Sequence, residues 1–280
     1  MKPVLNSIKL GGSGTGISYY SSVMTCERKA ALTKQFEESR PERVTLDAAY
    51  TGTLFHALME MYYKHQTDDF AIELDDTGDQ QEMEEAMRLF REYTKRFKAD
   101  EWITMHTEHL LPDPAIPGHV NDILAVLGIA PLTIRVDLVC EIRPEHVDGL
   151  VESRGIDLKP GIYLVDHKTS SVRSGDQVFR YQNNLQMDVY MAVWNACNPS
   201  FQCEGMLVNN IYRYKALNAK AFETILVAPP SEDRVQQLKE WLMEAKRRVD
   251  ANTATPNLSA CFTTWGACPH LISGNCTRRK

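Results

Sequence analysis

Four apolar residues, Ile162-Tyr163-Leu164-Val165, run without a break and stop at Asp166-His167-Lys168-Thr169. Entered by Pro160-Gly161, a continuous run of this length predicts a buried strand. A carboxylate and an ammonium at the end of such a strand are costly to bury unless something pairs them. A divalent cation on Asp166, with Lys168 two residues on and so on the same side, would supply that pairing. A surface Asp and Lys at an ordinary strand end carry the same short pattern.

The pattern on either side predicts the rest of the architecture. Residues 132–141 alternate apolar and polar as a strand does, with Asp137 inside. Asp148-Gly149 and Arg154-Gly155 read as turns before the 162–169 strand, so the two strands are predicted to pair as a hairpin or near neighbours, with Asp137 and Asp166 close across the pair. Earlier in the chain, helical spacing predicts helices over 18–34, 46–64 and 82–98. The first contains Cys26, with Ser21 or Ser22 as N-cap. In the second, Leu54, Leu58, Met61 and Tyr62 form an apolar stripe with His56 beside it. A strand is predicted over 102–111, containing Glu108. The stretch 112–131 holds four prolines and reads as an irregular insertion, with a short helix over 120–127. Downstream, 178–196 is predicted as one helix. Leu185, Val189 and Val193 form its seam, and Gln186, Tyr190 and Trp194 a neighbouring stripe. Strands over 205–214 and 222–227 and an amphipathic helix over 231–249 follow.

The Gly11–Gly16 run has neither a GxGxxG spacing nor a following Lys-Ser/Thr, which argues against a phosphate loop and for a flexible lead-in over 1–17. The remainder, 18–280, is expected as one domain: a helical part over 18–100, a core over 101–250 and a cysteine-rich segment over 251–280.

Composition narrows the function. The chain of 280 residues is 43% hydrophobic and 24% charged, with material for a full core. A formal net charge of -6 excludes polyanion binding by bulk charge, so any nucleic-acid contact must be local. No run has transmembrane length and Met1-Lys2-Pro3 opens no signal peptide, giving a cytoplasmic expectation with no membrane partner. Seven cysteines in a reducing compartment point to metal binding or core filling rather than disulfides.

In order, the marked residues read Gly52-x-x-x-His56, Glu108, Asp137, Asp166-x-Lys168 and Gln186-x-x-x-Tyr190. This order resembles the PD-(D/E)XK nuclease superfamily in its RecB-like branch, which includes the RecB and AddB nuclease domains, CRISPR-associated exonucleases and phage exonucleases. The resemblance spans about residues 18–276. It implies an α/β fold with a central mixed β-sheet flanked by helices, the restriction-endonuclease-like core. It implies that His56, Asp137 and Asp166, with the backbone carbonyl of His167, bind Mg²⁺ or Mn²⁺. Hard cations prefer such oxygens, and an imidazole shifts preference toward Mn²⁺. Lys168 would orient water or stabilise developing charge. Gln186 and Tyr190 would help position Lys168 and the DNA backbone, and Glu108 matches an acid that opens the first core strand. The side chain of His167 is expected on the opposite face, because strand neighbours alternate. The family often has Gly three residues before its first core acid, where this chain has Ile134.

Cys26, Cys261, Cys268 and Cys276 resemble the [4Fe-4S] arrangement that clasps the two chain ends in AddB-like and CRISPR-associated members. Four thiolates suit zinc equally by count. Cys140, Cys197 and Cys203 read as small core residues. The function implied is a metal-dependent DNA exonuclease on single-stranded or duplex ends, with a helicase, recombinase or CRISPR integration protein as partner. Arg173, Arg180, Arg213 and Lys215 are candidates for backbone contacts, and Tyr19, Tyr20, Tyr181 and Tyr212 for base stacking. Two other readings stand beside it: a DNA-end-binding or recombination-partner module with little or no catalysis, and a zinc-bearing structural protein.

Overall fold

The computed structural model describes residues 2–5, 17–27, 47–72, 80–129, 132–171, 173, 175–251, 262–263 and 266–267. In chain order the elements begin β1 (Val4–Leu5), α1 (Ile17–Thr25), α2 (Asp47–His65), β2 (Ala71–Ile72), α3 (Gln80–Arg96), β3 (Ile103–Leu111), α4 (His119–Leu127), β4 (Ile134–Ile142) and α5 (Pro144–Arg154). They continue with β5 (Gly161–Ser170), α6 (Gln177–Gln182), α7 (Leu185–Cys197), β6 (Cys203–Tyr212), β7 (Phe222–Val227), α8 (Glu232–Ala251), β8 (Phe262–Thr263) and β9 (Gly266–Ala267). The chain divides into two compact units, one of residues 1–11, 45–111 and 135–230, the other of residues 12–44, 112–134 and 231–280.

The first unit is built on a five-stranded sheet of order β3-β4-β5-β6-β7. β5 pairs antiparallel with β4, parallel with β6, and β6 pairs antiparallel with β7, so the sheet is mixed as expected. β5 is central, and its apolar run is buried on both faces: Leu164 and Val165 are fully enclosed. Each such side chain contributes about 1.5–3 kcal/mol relative to exposure. One face carries α2 and α3 over a core of Leu54, Phe55, Leu58, Tyr63, Leu89, Phe90, Tyr93, Leu138, Cys140, Tyr163, Val165 and Leu207. α7 packs on β6, with Met187, Val189, Met191 and Val193 enclosed. Gly205 lets β6 lie against β7, since a Cβ there would fall 2.8 Å from the Val227 carbonyl oxygen.

Three local expectations change. Asp148-Gly149 is no turn: both lie inside α5. Pro144 occupies its first turn, the Arg143 amide donates to His146 Nδ1 at 3.2 Å, and the helix runs on to Gly155, whose φ of 68° closes it. Gly149 is tolerated there because burial of Leu150 outweighs its weak helix propensity. The predicted 178–196 helix is broken into α6 and α7 at Asn183-Asn184, where the Asn184 side chain accepts from the Gln186 amide at 2.8 Å and starts α7 afresh. Within the expected flexible lead-in, Val4 and Leu5 pair parallel with Ala71 and Ile72, because Leu5 finds an apolar core to enter. The Gly11–Gly16 run lies outside the described residues.

In the second unit α1 and α4 both pack on α8. Cys26 is buried just past the end of α1, and Cys261, Cys268 and Cys276 lie outside the described residues. Cys140, Cys197 and Cys203 are buried, as core residues are. Among the described residues no helix is long and apolar enough to cross a membrane.

Candidate active site

The β4–β5 ladder ends at Leu138 opposite Val165, one residue short of Asp137 and Asp166. Beyond it the Asp137 side chain takes over: Oδ2 accepts from the His167 amide at 2.7 Å. The alternation of β5 then sends Asp166 and Lys168 to one face and His167 to the other. Asp166 is 2% exposed, and Lys168 Nζ lies 2.8 Å from its Oδ1 and 2.6 Å from its Oδ2.

α2 brings His56 to Asp137. A Cβ on Gly52 would sit 3.2 Å from Thr169 Oγ1, so glycine permits the helix to approach β5 closely there. One turn on, His56 Nδ1 lies 3.2 Å from Asp137 Oδ2. Glu108 arrives by a different device. Its φ of 46° is left-handed, rare for a non-glycine and costly by about 1–3 kcal/mol, and it breaks the strand's alternation. The ligand atoms of His56, Glu108 and Asp137 lie within 4.8 Å of one another. Arg135 Nε stands 3.7 Å from Glu108 Oε2.

The charges in this cluster govern one another. Burial pulls the His56 imidazole down, but Asp137 more than reverses it and lifts its pKa to about 9. Burial raises Asp137, yet His56 and Lys168 hold it well below the usual carboxylate range. Glu108 is pushed up to about 7, by burial and then by the Asp137 charge. Asp166 is raised by burial, against the pull of Lys168. Burial opposes the charge of Lys168, but Asp166 and Asp137 keep it protonated. Three carboxylates thus crowd together, with the His56 imidazolium, the Lys168 ammonium and the half-exposed Arg135 guanidinium to balance them.

Gln186 and Tyr190, one turn apart on α7, are joined by a 2.9 Å bond from Gln186 Nε2 to Tyr190 Oη. The Tyr190 hydroxyl is pushed up to about 12 by burial, and it feels the charges of Asp166, Asp137 and Lys168.

His167 is enclosed on the other face. Its ring stacks on Tyr63 at 5.9 Å and meets Phe55 and Tyr93 edge-on. Burial pulls its pKa down to about 3, so the imidazole is neutral. Beneath it a polar chain runs through Asn209, 3.5 Å from His167 Nδ1, to Arg154. Arg154 is fully buried, 2.8 Å from Glu101 Oε2 and stacked over Phe97 and Trp102.

Sequence reading missed Asn209 and Asn210, although the signal that exposed Asp166 was there: two polar residues end the apolar stretch Met206–Val208. Asn210 pairs with Lys168 across the β5–β6 ladder and accepts from Tyr181 Oη at 2.9 Å. Two of the proposed stacking residues, Tyr20 and Tyr212, are buried at 4% and 0% exposure, because both point into cores. Arg173 is paired with Glu223 at 2.7 Å and Arg180 with Asp176 at 3.0 Å.

An acid cluster beside a lysine held by a strand-end carboxylate, on the central strand of a mixed sheet, can bind a hard cation and offer an ammonium to an anion. The family model of the PD-(D/E)XK nuclease superfamily matches residues 17–271. No curated protein matches the chain. That match covers almost the whole chain and includes every residue of the cluster, on the sheet the superfamily's order of motifs implied; the chain belongs to the PD-(D/E)XK nuclease superfamily.

Proposed function

We propose that this chain is a metal-dependent deoxyribonuclease of the RecB-like branch that degrades DNA exonucleolytically from single-stranded ends. The observation that carries this reading is the convergence of the His56–Glu108–Asp137 group with the Asp166–Lys168 pair. Two carboxylates and an imidazole suit Mn²⁺ or Mg²⁺. The donor set fits such an ion, because burial and then the neighbouring Asp137 charge push Glu108 up to about 7, a cost that a bound cation would offset. His56, Glu108 and Asp137 would hold it; Asp166, expected as a ligand from the sequence, instead pairs with Lys168 at 2.6 Å. A bound ion would supply Lewis acidity to the scissile phosphodiester and lower the pKa of a water.

The side chains do the rest. Lys168, kept charged and fixed by Asp166, donates to a non-bridging phosphate oxygen and offsets its growing negative charge as water adds and the P–O bond breaks. Tyr190, tied to Gln186 and within electrostatic reach of Lys168, would help position that ammonium. Asp137 holds the β5 backbone through the His167 amide.

A [4Fe-4S] cluster on Cys26, Cys261, Cys268 and Cys276, with zinc as the alternative metal, belongs to the same reading. Its support is the meeting of the two ends in the second unit: Glu27, next to Cys26, lies 3.9 Å from Arg248 on α8, which leads into the cysteine-rich segment. A helicase, recombinase or CRISPR integration protein would present the end.

The test is cleavage of end-labelled single- and double-stranded DNA with Mg²⁺ or Mn²⁺. Stepwise release of nucleotides from single-stranded ends, lost in EDTA and in Lys168→Ala, is the expected result. Binding without cleavage, unaffected by Asp166→Ala, would refute it in favour of an end-binding module.

A further inference from the structure

The Gln-x-x-x-Tyr step occurs twice in residues 177–190, as Gln177–Tyr181 and again as Gln186–Tyr190. The second lies on α7 beside Lys168; the first lies on α6. Within α6 only Gln177 and Tyr181 are not exposed. One turn apart, they form the face that the helix turns to the sheet. Gln177 Nε2 lies 3.4 Å from the Tyr181 hydroxyl, repeating the Gln186–Tyr190 bond, and that hydroxyl donates to Asn210 Oδ1 at 2.9 Å. Asn210 is 1% exposed and is the ladder partner of Lys168 in the parallel β5–β6 pair. Their side chains therefore leave the same face of the sheet from strands about 4.8 Å apart. Burial raises the pKa of the Tyr181 hydroxyl, and the charges of Lys168 and Asp166 both act on it. Two tyrosyl hydroxyls, each tied to a glutamine one turn back, thus lie within electrostatic reach of the ammonium. They differ in access. Tyr190 is 9% exposed, whereas Tyr181 is half-buried on a helix without a buried residue, so Tyr181 is the one an incoming strand can reach.

The polar chain is also incomplete. Asn210 Nδ2 is enclosed without a hydrogen-bond partner, a loss that an apolar residue at this position would avoid. We propose that the Tyr181 hydroxyl binds a non-bridging oxygen of the substrate's phosphodiester beside Lys168, with Gln177 and Asn210 as its positioning residues. The proposal rests on the nuclease reading above and adds a substrate contact to that site. A phosphate oxygen is a stronger acceptor than an amide carbonyl, so the hydroxyl proton leaves Asn210 Oδ1 for it. The Asn210 amide, turned end for end, then gives Nδ2 to the hydroxyl oxygen, and the donor that lacks a partner in the free protein gains one. Tyr181, expected from the sequence as a base-stacking residue, acts here through its oxygen rather than its ring.

The test uses the full-length protein and single-stranded oligonucleotides, with binding read in Ca²⁺ and cleavage in Mg²⁺ or Mn²⁺. Tyr181→Phe removes the hydroxyl and keeps the ring. It is expected to bind roughly 10- to 100-fold more weakly, as the loss of one hydrogen bond to a charged group implies, with kcat/KM lower by a similar factor. A methylphosphonate at the scissile linkage, in the diastereomer that removes the contacted oxygen, should weaken wild type and cost Tyr181→Phe less by that factor. Asn210→Ala should reproduce the loss, and the double variant should be no worse than either single one, because both act through one hydroxyl. Equal methylphosphonate penalties in wild type and Tyr181→Phe would overturn the proposal, since a structural role does not read that oxygen. So would an unchanged Tyr181→Phe beside a weakened Tyr181→Ala, which would assign the ring to base stacking. Failure of wild type to cleave in Mg²⁺ or Mn²⁺ would refute the nuclease reading separately, and the binding measurements in Ca²⁺ would still decide the role of Tyr181.

Discussion

Replacing Glu108 by glutamine is expected to make the metal-free protein more stable at pH 8 and unable to gain fully from a divalent ion. In the fold this carboxyl titrates at about 7, against an ordinary 4.5. An acid whose folded pKa is raised subtracts stability as pH climbs from its unfolded value through its folded one. Above pH 7 the fold carries the full cost of the charge, on the order of 3 kcal/mol. Glutamine removes that cost. The 3.7 Å ion contact with half-exposed Arg135 is already contained in that cost, since it pulls the Glu108 pKa down. The gain at pH 8 in EDTA is about 3 kcal/mol, or roughly 6–12 °C in melting temperature for a chain near this size. At pH 5 the gain shrinks below about 1 kcal/mol, because there the folded carboxyl is protonated and costs little. Adding Mn²⁺ narrows the difference. Wild type gains about 2.7 kcal/mol at a hundredfold excess over Kd, whereas the variant has lost an anionic ligand and gains less. Thermal melts at both pH values, with EDTA and with Mn²⁺, check all three arms. A Glu108→Gln protein less stable than wild type at pH 8 in EDTA, or equal stabilisation of both by Mn²⁺, would refute the reasoning.

Three further outcomes are expected. Lys168→Met should lower cleavage by on the order of 10²–10³ while leaving Mn²⁺-induced stabilisation in place, because the lysine acts on the phosphate and is not an ion ligand; kinetics and melts on one sample check it. Arg154→Met should cost about 3–5 kcal/mol in urea unfolding by stranding Glu101, and a compensating Glu101→Leu should recover much of the loss. Cys268→Ala should remove the visible absorbance of anaerobically purified protein and lower its melting temperature; unchanged colour and melting would dispose of the cluster.

Much of the fold was legible because its signals are local. Period-2 and period-3.6 patterns placed α2, α3, β3, β5, β7 and α8 within about two residues. The failures share a cause. Asp148-Gly149 carries turn chemistry that burial of Leu150 overrides, and the break at Asn183-Asn184 is a cap that a helical stripe conceals. Of the candidate site, Asp137, Asp166, Lys168 and His56 were marked by their order along the chain, which resembles the superfamily's motifs; apolar periodicity alone did not separate them from an ordinary strand end or a half-buried histidine. Glu108 was visible as an acid but not as a neighbour of His56. Asn209 and Asn210 went unread because an amide carries no charge to flag its burial.

By itself the sequence determined which groups are available and which face of its own element each occupies, since alternation and helical turn are properties of a few adjacent residues. Tertiary structure alone decided which atoms converge. It turned Glu108 toward Asp137 through a left-handed backbone, tied Asp166 to Lys168, and locked the neutral ring of His167 against Tyr63. The reason is that those outcomes depend on how closely α2 lies on β5 and how β4 ends beside it. Distances between elements far apart in the chain are fixed by packing, and no local periodicity encodes them.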